Sequence, residues 1–346
     1  MAARATRSAS RKARLTEAVA TGPLGALSHD ELGVIFDGLA DPLQPVVAIA
    51  LSSTCLGLRT PLRAARVVLM ERCLRTMALC RKNGLSFAEL RDAVRLDFGG
   101  KGLTADDMAT LAMILRTNGL PMLQRLWLDR NRFGDAGMQT LCEGLGPGAV
   151  PALRTIHLYR NEFGPVGAEA LAGALRKGAL PMLANLDLRE NNLGRQGVAA
   201  LTAPLRAMPA LNGLYLSACG IGDEAVASLV DNLGKDDFKK LERLRLDENN
   251  ITRAGAEPLA NAAKNDNMLQ SLRVLGLTLN DMSLEEEEAL EDKLEDVWPV
   301  PRGVDEGMDV DDASEDDHNS EDEWEGVPWI CSGSSCLGCP GCPGNS

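Results

Sequence analysis

Aromatic and arginine side chains recur along this chain in a pattern that could bind another molecule. Both of its tyrosines, Tyr159 and Tyr215, lie in the pattern with Trp127 and His157, although aromatic residues make up only 3% of the sequence. Tyr, Trp and Arg supply much of the binding energy of protein interfaces. We predict a binding surface at these four residues, flanked by Arg130, Arg160, Arg189 and Arg245. The alternative is that strands favour aromatic residues whatever their role.

Catalytic chemistry has little support in the sequence. His157 lies close to Tyr159, but no Ser or Cys stands in a recognisable nucleophile motif. A lone exposed histidine is more often a contact residue than a catalyst. The chain also has no phosphate-binding loop of the GxxxxGK type. We therefore predict no enzyme activity, no catalytic residue and no cofactor.

A repeated sequence unit must position the residues of this surface. In five units, two apolar residues flank one variable residue, and successive pairs begin 30, 30, 28 and 30 residues apart. This alternation predicts a short strand with one buried face, and strands a whole repeat apart pair in parallel. Leucines four residues apart follow the first four pairs and predict a helix. The pairs are Leu126/Leu128, Ile156/Leu158, Leu186/Leu188, Leu214/Leu216 and Leu244/Leu246.

One further position of the unit is polar and lies three residues after each apolar pair. An asparagine amide there can satisfy backbone groups of the turn, and stacking of the units would bury these residues as a ladder. Cysteine can occupy one rung but is a poor donor. We assign a structural role to Asn131, Asn161, Asn191, Cys219 and Asn249.

The unit resembles the leucine-rich-repeat family in its ribonuclease-inhibitor-like subclass, whose pattern is LxxLxLxx(N or C)xLxxxGxxxLxxxL. The match covers roughly residues 94–282, with a weaker unit before the five strong ones and a partial unit after them. The resemblance implies an α/β horseshoe over residues 93–282, with parallel strands inside and helices outside. It also implies that the concave face binds a protein partner.

Residues 20–92 are predicted to be helical. The segments LSHDELGVIFDGL and ALSSTCLGL resemble an F-box, the motif that docks onto the Skp-type adaptor of a cullin ubiquitin ligase. The resemblance implies that Leu32, Ile35 and Phe36 contact the adaptor. Two positions depart from the motif, because Ser28 replaces a common proline and Leu58 a common tryptophan. The alternative is a helical cap that covers the first repeat.

The charge of the chain is concentrated near its end. The net charge is −13, but residues 285–325 hold 20 acidic and two basic residues, which leaves +5 for the remainder. A nearly neutral body argues against a nucleic-acid partner, and no apolar stretch approaches the ~20 residues of a membrane helix. We predict a basic disordered arm (1–19), a capping helix (283–298) and a disordered acidic and cysteine-rich tail (299–346).

Four of the nine cysteines, Cys331, Cys336, Cys339 and Cys342, crowd into the last sixteen residues. The CxxCxxC spacing could supply thiolates to zinc. Glycine and proline separate these cysteines, however, so we favour a flexible tail and predict no metal site. Since no secretion signal precedes the folded region, we expect a reducing compartment, either cytoplasm or nucleus.

These observations predict a non-catalytic scaffold that binds a protein partner. The F-box resemblance refines this to a substrate receptor of a cullin ubiquitin ligase. The alternative is a GTPase-activating protein, because repeats of this subclass followed by an acidic tail resemble the activator of the Ran GTPase. That family has more repeats, and an F-box-like start is foreign to it.

Overall fold

The computed structural model describes residues 32, 35–36, 40–46, 48–50, 62–117, 119–264 and 269–295. The predicted basic arm and the acidic tail, with its four cysteines, lie outside these described residues. So do Ser28 and Leu58, at which the sequence departs from the F-box motif.

Short strands and longer helices alternate along the described chain. The strands are β1 Arg95–Asp97, β2 Arg125–Trp127, β3 Thr155–His157, β4 Asn185–Asp187, β5 Gly213–Tyr215, β6 Arg243–Arg245 and β7 Val274–Gly276. The helices are α1 Arg63–Lys82, α2 Phe87–Arg91, α3 Ala105–Thr117, α4 Gly134–Gly144, α5 Pro165–Arg176, α6 Gly194–Arg206, α7 Asp223–Val230, α8 Arg253–Lys264 and α9 Leu284–Glu295. From β1 onward the repeated unit is therefore strand, loop, helix.

The strands form one parallel sheet in the order of the sequence. Each strand is in register with the next at its central apolar residue, so that Leu126 pairs with Leu96 on one side and with Ile156 on the other. The second apolar residue of each pair continues the contact beyond the strand, since the Leu128 amide donates to the His157 carbonyl at 2.9 Å. The predicted parallel stacking is confirmed, and it includes the two weak units.

The helices cover one side of this sheet and bury their apolar faces against it. In α5, for example, Ala168, Leu171 and Ala172 are fully buried and lie three and four residues apart, as one helix face requires. Neighbouring helices need ~8–10 Å, whereas neighbouring strands need only ~4.8 Å. The stack therefore curves with its strands on the inner side, which confirms the predicted α/β horseshoe.

Buried asparagine side chains connect each repeat to the next. The Asn161 amide nitrogen donates to the carbonyls of Leu128 and Leu158, both at 2.9 Å. Its Oδ1 accepts from the Asn131 backbone N–H at 3.0 Å, while its own N–H donates to Asn191 at 3.0 Å. One side chain thus satisfies backbone groups of two repeats, and the predicted ladder is present.

Cys219 occupies one rung of this ladder. Its Sγ donates to the Leu188 carbonyl at 3.2 Å, and its backbone N–H donates to Asn249 Oδ1 at 2.9 Å. Burial is the main cause that raises the pKa of this thiol to about 12, so the sulfur keeps the proton that it donates. This rung has one donor where asparagine supplies two.

Helix α1 joins the N-terminal residues to the repeats. Its residues Leu69 and Cys73 pack into a small cluster with Leu32 and Phe36. Further along, Leu79 and Cys80 belong to the large core of the repeats. At the end of the helix, the Lys82 ammonium donates to the Gly102 carbonyl at 2.6 Å and to Asp107 at 2.8 Å.

Helix α9 closes the other end of the stack. Ser283 and Glu286 form reciprocal hydrogen bonds at its start, as in a capping box. Leu290 and Leu294 are buried against the preceding repeat. The apolar edge of the last repeat is therefore covered at this end.

Replacement of one ladder residue tests its energetic role. Asn161→Ala removes the acceptor of the Asn131 N–H. It also removes one of two amide donors from each of the Leu128 and Leu158 carbonyls, which keep the amides of Asn131 and Asn191. A buried group left without a partner costs ~1–3 kcal/mol. We expect a loss of about 1–3 kcal/mol in the free energy of unfolding, measured in urea at an unchanged m-value. Asn161→Cys, which copies the Cys219 rung, should lose less.

The exposed neighbour Asn192 supplies a control, and Asn192→Ala should leave the unfolding midpoint nearly unchanged. Equal losses for Asn161→Ala and Asn192→Ala would contradict a role of the ladder in stability.

Candidate functional site

The inner face of the sheet carries the side chains that do not enter the core. Because side chains alternate along a strand, the two residues on either side of each buried central leucine point away from the helices. In β2 these residues are Arg125 and Trp127, and in β3 they are Thr155 and His157. The parallel register then places the same position of neighbouring repeats side by side.

An aromatic stack lies on the first repeats of this concave face. The rings of Trp127 and His157 are stacked, with centroids 5.6 Å apart and planes inclined by 15°. The Arg95 guanidinium carbon lies 3.7 Å from the centroid of the Trp127 ring. Cation, indole and imidazole thus come from three consecutive strands, and this geometry favours cation–π attraction.

Tyr159 and Tyr215 continue the cluster toward the middle of the sheet. The guanidinium carbons of Arg130 and Arg189 lie 5.2 and 5.3 Å from the centroid of the Tyr159 ring. Arg189 also lies 5.8 Å from the ring centroid of Tyr215, so it connects the two tyrosines. The structure brings together most of the predicted surface. We call Arg95, Trp127, Arg130, His157, Tyr159, Arg189 and Tyr215 the aromatic cluster.

Two of the predicted arginines, Arg160 and Arg245, pair with carboxylates. Arg160 forms an ion pair with Glu190 of the next repeat. Arg245 lies at the far side of the sheet, 3.9 Å from Asp247. Their place in the binding surface stays a prediction.

Carboxylates offset much of the positive charge on the concave face. Arg189 makes a bidentate pair with Asp187, with its Nη2 2.8 Å from Oδ2 and its Nε 3.0 Å from Oδ1. Asp187 is almost fully buried, so this pair is well ordered and holds the guanidinium against the tyrosines. The sheet therefore presents aromatic rings and fixed cations, with a nearly balanced charge.

Asp129 lies beside the cluster and is half-buried. Burial raises the pKa of this carboxyl above its ordinary value, and this effect outweighs a hydrogen bond from Tyr159 and the charge of Arg130. Gly99 approaches it closely, since a Cβ on that residue would lie 2.9 Å from the carboxylate oxygens. Asp129 thus positions the Tyr159 hydroxyl.

The indole N–H of Trp127 has no hydrogen-bond acceptor among the described residues, although its Nε1 atom is buried. Such an unpaired donor costs ~1–3 kcal/mol. The flat faces of the ring contact Arg95 and His157. Contacts with the faces of the indole ring, and not a hydrogen bond from its Nε1, therefore position Trp127 among the described residues.

Arg130 and Arg160 have a backbone conformation that the sequence did not reveal. Their φ angles are 56° and 54°, in the left-handed region, and Glu190 follows them in the next repeat with 53°. A left-handed residue costs roughly 1–2 kcal/mol unless it is glycine. The same conformation recurs at this position of the following repeats, since Ala218 and Glu248 have φ angles of 52° and 54°.

Sequence reasoning missed the column of residues that precedes each central leucine. Arg95, Arg125 and Arg243 stand there, and Arg95 contacts Trp127 directly. The signal was present in the sequence, because a period of two places this residue on the same face as the one after the leucine.

The described residues contain no group of three or more His, Cys, Asp or Glu side chains that could hold a metal ion. Within the same residues, no helix has the length and apolar character needed to span a membrane.

Comparison with protein families identifies the repeat. The family model described as "Leucine Rich repeat" matches residues 119–142, 151–172 and 239–260. These matched stretches carry β2, β3 and β6 with the beginnings of their helices.

Comparison with solved structures finds a TLR13 chain from "Crystal structure of TLR13-ssRNA13 complex". It is 19% identical to this chain with a TM-score of 0.28, and the match covers 59% of this chain and 32% of that chain. This chain therefore spans about a third of the length of that structure. Comparison with curated protein sequences returned no match. Leucine-rich repeats are therefore found in three stretches of this parallel sheet and its helix layer.

Proposed function

We propose that this chain is a non-catalytic scaffold that binds a protein partner on its concave face. The observation that carries the proposal is the aromatic cluster, in which four aromatic rings from three strands and an adjacent turn meet three guanidinium groups. Trp127, His157, Tyr159 and Tyr215 are each only half-buried, so their outer surfaces are accessible. Leucine-rich-repeat proteins generally bind protein partners, which supports this use of the face.

The chemistry of the cluster indicates what the partner presents. The arginines are already paired with Asp187 or stacked on rings, so a strongly acidic partner is not required. Ordered aromatic surfaces lose little side-chain entropy on binding and form most of a typical hot spot. We infer that an apolar side chain of the partner packs on the tyrosines, with polar groups at the rim.

We further propose that the N-terminal residues recruit the Skp-type adaptor of a cullin ubiquitin ligase, in the cytoplasm or the nucleus. The three predicted contact residues have different environments. Leu32 and Phe36 are 6% and 0% exposed in the small cluster with α1, whereas Ile35 is 37% exposed. Ile35 is therefore the contact residue that can be tested without disturbing this cluster.

The concave face is tested by Trp127→Ala combined with Tyr159→Ala. Loss of two hot-spot residues should weaken binding by about 2 kcal/mol or more, ~30-fold in Kd. The partner is first identified by proximity labelling with the full chain, and its affinity for each variant is then measured by titration calorimetry.

Val166→Ala with Met182→Ala supplies the matched control, because both residues are exposed outside the aromatic cluster. Parental affinity in a folded Trp127→Ala/Tyr159→Ala protein would remove the concave face from the proposal.

The adaptor hypothesis is tested by Ile35→Asp. A carboxylate at this half-exposed position should abolish co-purification with a purified Skp-type adaptor, because it places an unpaired charge in an apolar contact. The Val166→Asp variant should bind like the parent. If the parent itself fails to co-purify with the adaptor, the N-terminal residues are a cap only.

The alternative function, a GTPase-activating protein that acts on Ran, stays a hypothesis from the sequence resemblance. Single-turnover GTP hydrolysis by Ran in the presence of this chain distinguishes it from the scaffold.

A further inference from the structure

Helix α1 has an apolar face that no described element covers. The apolar stripe, which we define as Val67, Met70, Leu74 and Met77, has exposures of 63%, 49%, 60% and 45%. Its spacing of three and four residues is that of a helix face that packs against a partner. The opposite face of α1 is already buried, through Leu69, Cys73 and Leu79. The stripe is therefore a second surface, distinct from the aromatic cluster.

Positive charge surrounds the stripe. Helix α1 holds six basic residues and one acidic residue, and Arg63 and Arg81 continue the stripe at its two ends. Arg75 pairs with Glu71, and Lys82 with Asp107, whereas Arg63, Arg66 and Arg81 form no ion pair with any described residue. This surface favours a partner that is both acidic and apolar.

A groove extends the stripe at the C-terminal end of α1. It has a volume of about 510 Å³ and is lined by Met77, Cys80, Arg81, Gly84, Leu85, Ser86 and Phe87. The lining is mainly apolar, and Arg81 supplies one cation. An aromatic ring in this groove would contact apolar side chains and a guanidinium together.

The chain itself contains a segment with the complementary chemistry. Residues 304–325 hold twelve acidic residues and no basic one. Trp324 lies within this acidic run, and Trp329 and Ile330 follow shortly after it. Three of the four tryptophans of the chain lie beyond residue 295, so aromatic anchors are concentrated where the acidic residues are.

The segment is long enough to reach α1. Trp324 lies 29 residues after Glu295, the last residue of α9. At most ~3.3–3.6 Å per residue, this chain can extend roughly 100 Å. From α9 back to α3, against which α1 packs, there are six helix spacings of ~8–10 Å, or roughly 60 Å. The span is therefore within reach.

We propose that residues 304–330 of the same chain bind the apolar stripe of α1, with Trp324 or Trp329 in the groove beside Arg81. The concave face is a poorer site for this segment, because three of its arginines already pair with the carboxylates of Asp187, Glu190 and Asp247. A second copy of α1 is also a poorer partner for the stripe, because two strongly basic helices repel each other. The docked segment covers the exposed face of α1, the helix against which Leu32 and Phe36 pack.

Photo-cross-linking of the full chain tests this contact. The substitution Met70→p-benzoylphenylalanine places the cross-linker in the stripe, and the same residue at Val166, which is 49% exposed on α5, serves as the control. We expect the Met70 position to yield an adduct with the mass of one chain whose cross-linked peptide lies within 304–330. The Val166 position should not yield it.

Two further measurements separate docking from chance encounter. Trp324→Ala with Trp329→Ala leaves every residue of the stripe and groove unchanged, and it should abolish the adduct. Salt at about 1 M, where the Debye length is only ~3 Å, should reduce its yield. An adduct with another part of the chain, an adduct with a second copy, equal yields at positions 70 and 166, or a yield unaffected by the tryptophan replacements would each overturn the proposal.

Discussion

The structure depends on how backbone groups are satisfied in the turn that follows each strand. These groups are buried between repeats, where an unpaired carbonyl or N–H costs ~1–3 kcal/mol. The ladder asparagines meet this requirement by bonding to two repeats at once, as Asn161 does through Leu128 and Leu158. Because each amide group fits only one alignment of its neighbours, the ladder also fixes the register in which the repeats stack.

That register produces the aromatic cluster. Arg95, Trp127 and His157 belong to three different repeats and meet because the strands are in register. Trp127 pairs with His157, and Arg95 lies on the same face, two residues before Asp97, the residue that pairs with Trp127. A shift by one residue would turn these side chains toward the helices and the leucines toward water. The asparagines also hold the backbone of this surface directly, because Asn161 and Asn191 donate to the carbonyls of Tyr159 and Arg189 at 3.3 and 3.1 Å.

Much of this arrangement could be predicted from the sequence, because it repeats. The strand leucines, the ladder including Cys219, and the aromatic positions all follow from a period near thirty and an alternation of two. The sequence did not reveal the left-handed turns at Arg130 and Arg160, since asparagine and glycine are the usual residues there. Nor did it reveal which arginines stack on aromatic rings and which form ion pairs with carboxylates, because both contacts depend on distances between side chains of different repeats. The N-terminal residues have no repeat, so the burial of Leu32 and Phe36 beside a half-exposed Ile35 became visible only in three dimensions.

Amide hydrogen exchange in an Asn191→Ala variant tests most directly whether the ladder sets the stacking. The Asn161 N–H donates to the Asn191 side chain, whereas the Asn131 N–H donates to Asn161, which the substitution leaves in place. The predicted result is faster exchange at Asn161 and retained protection at Asn131. Unchanged protection at both amides would contradict the account.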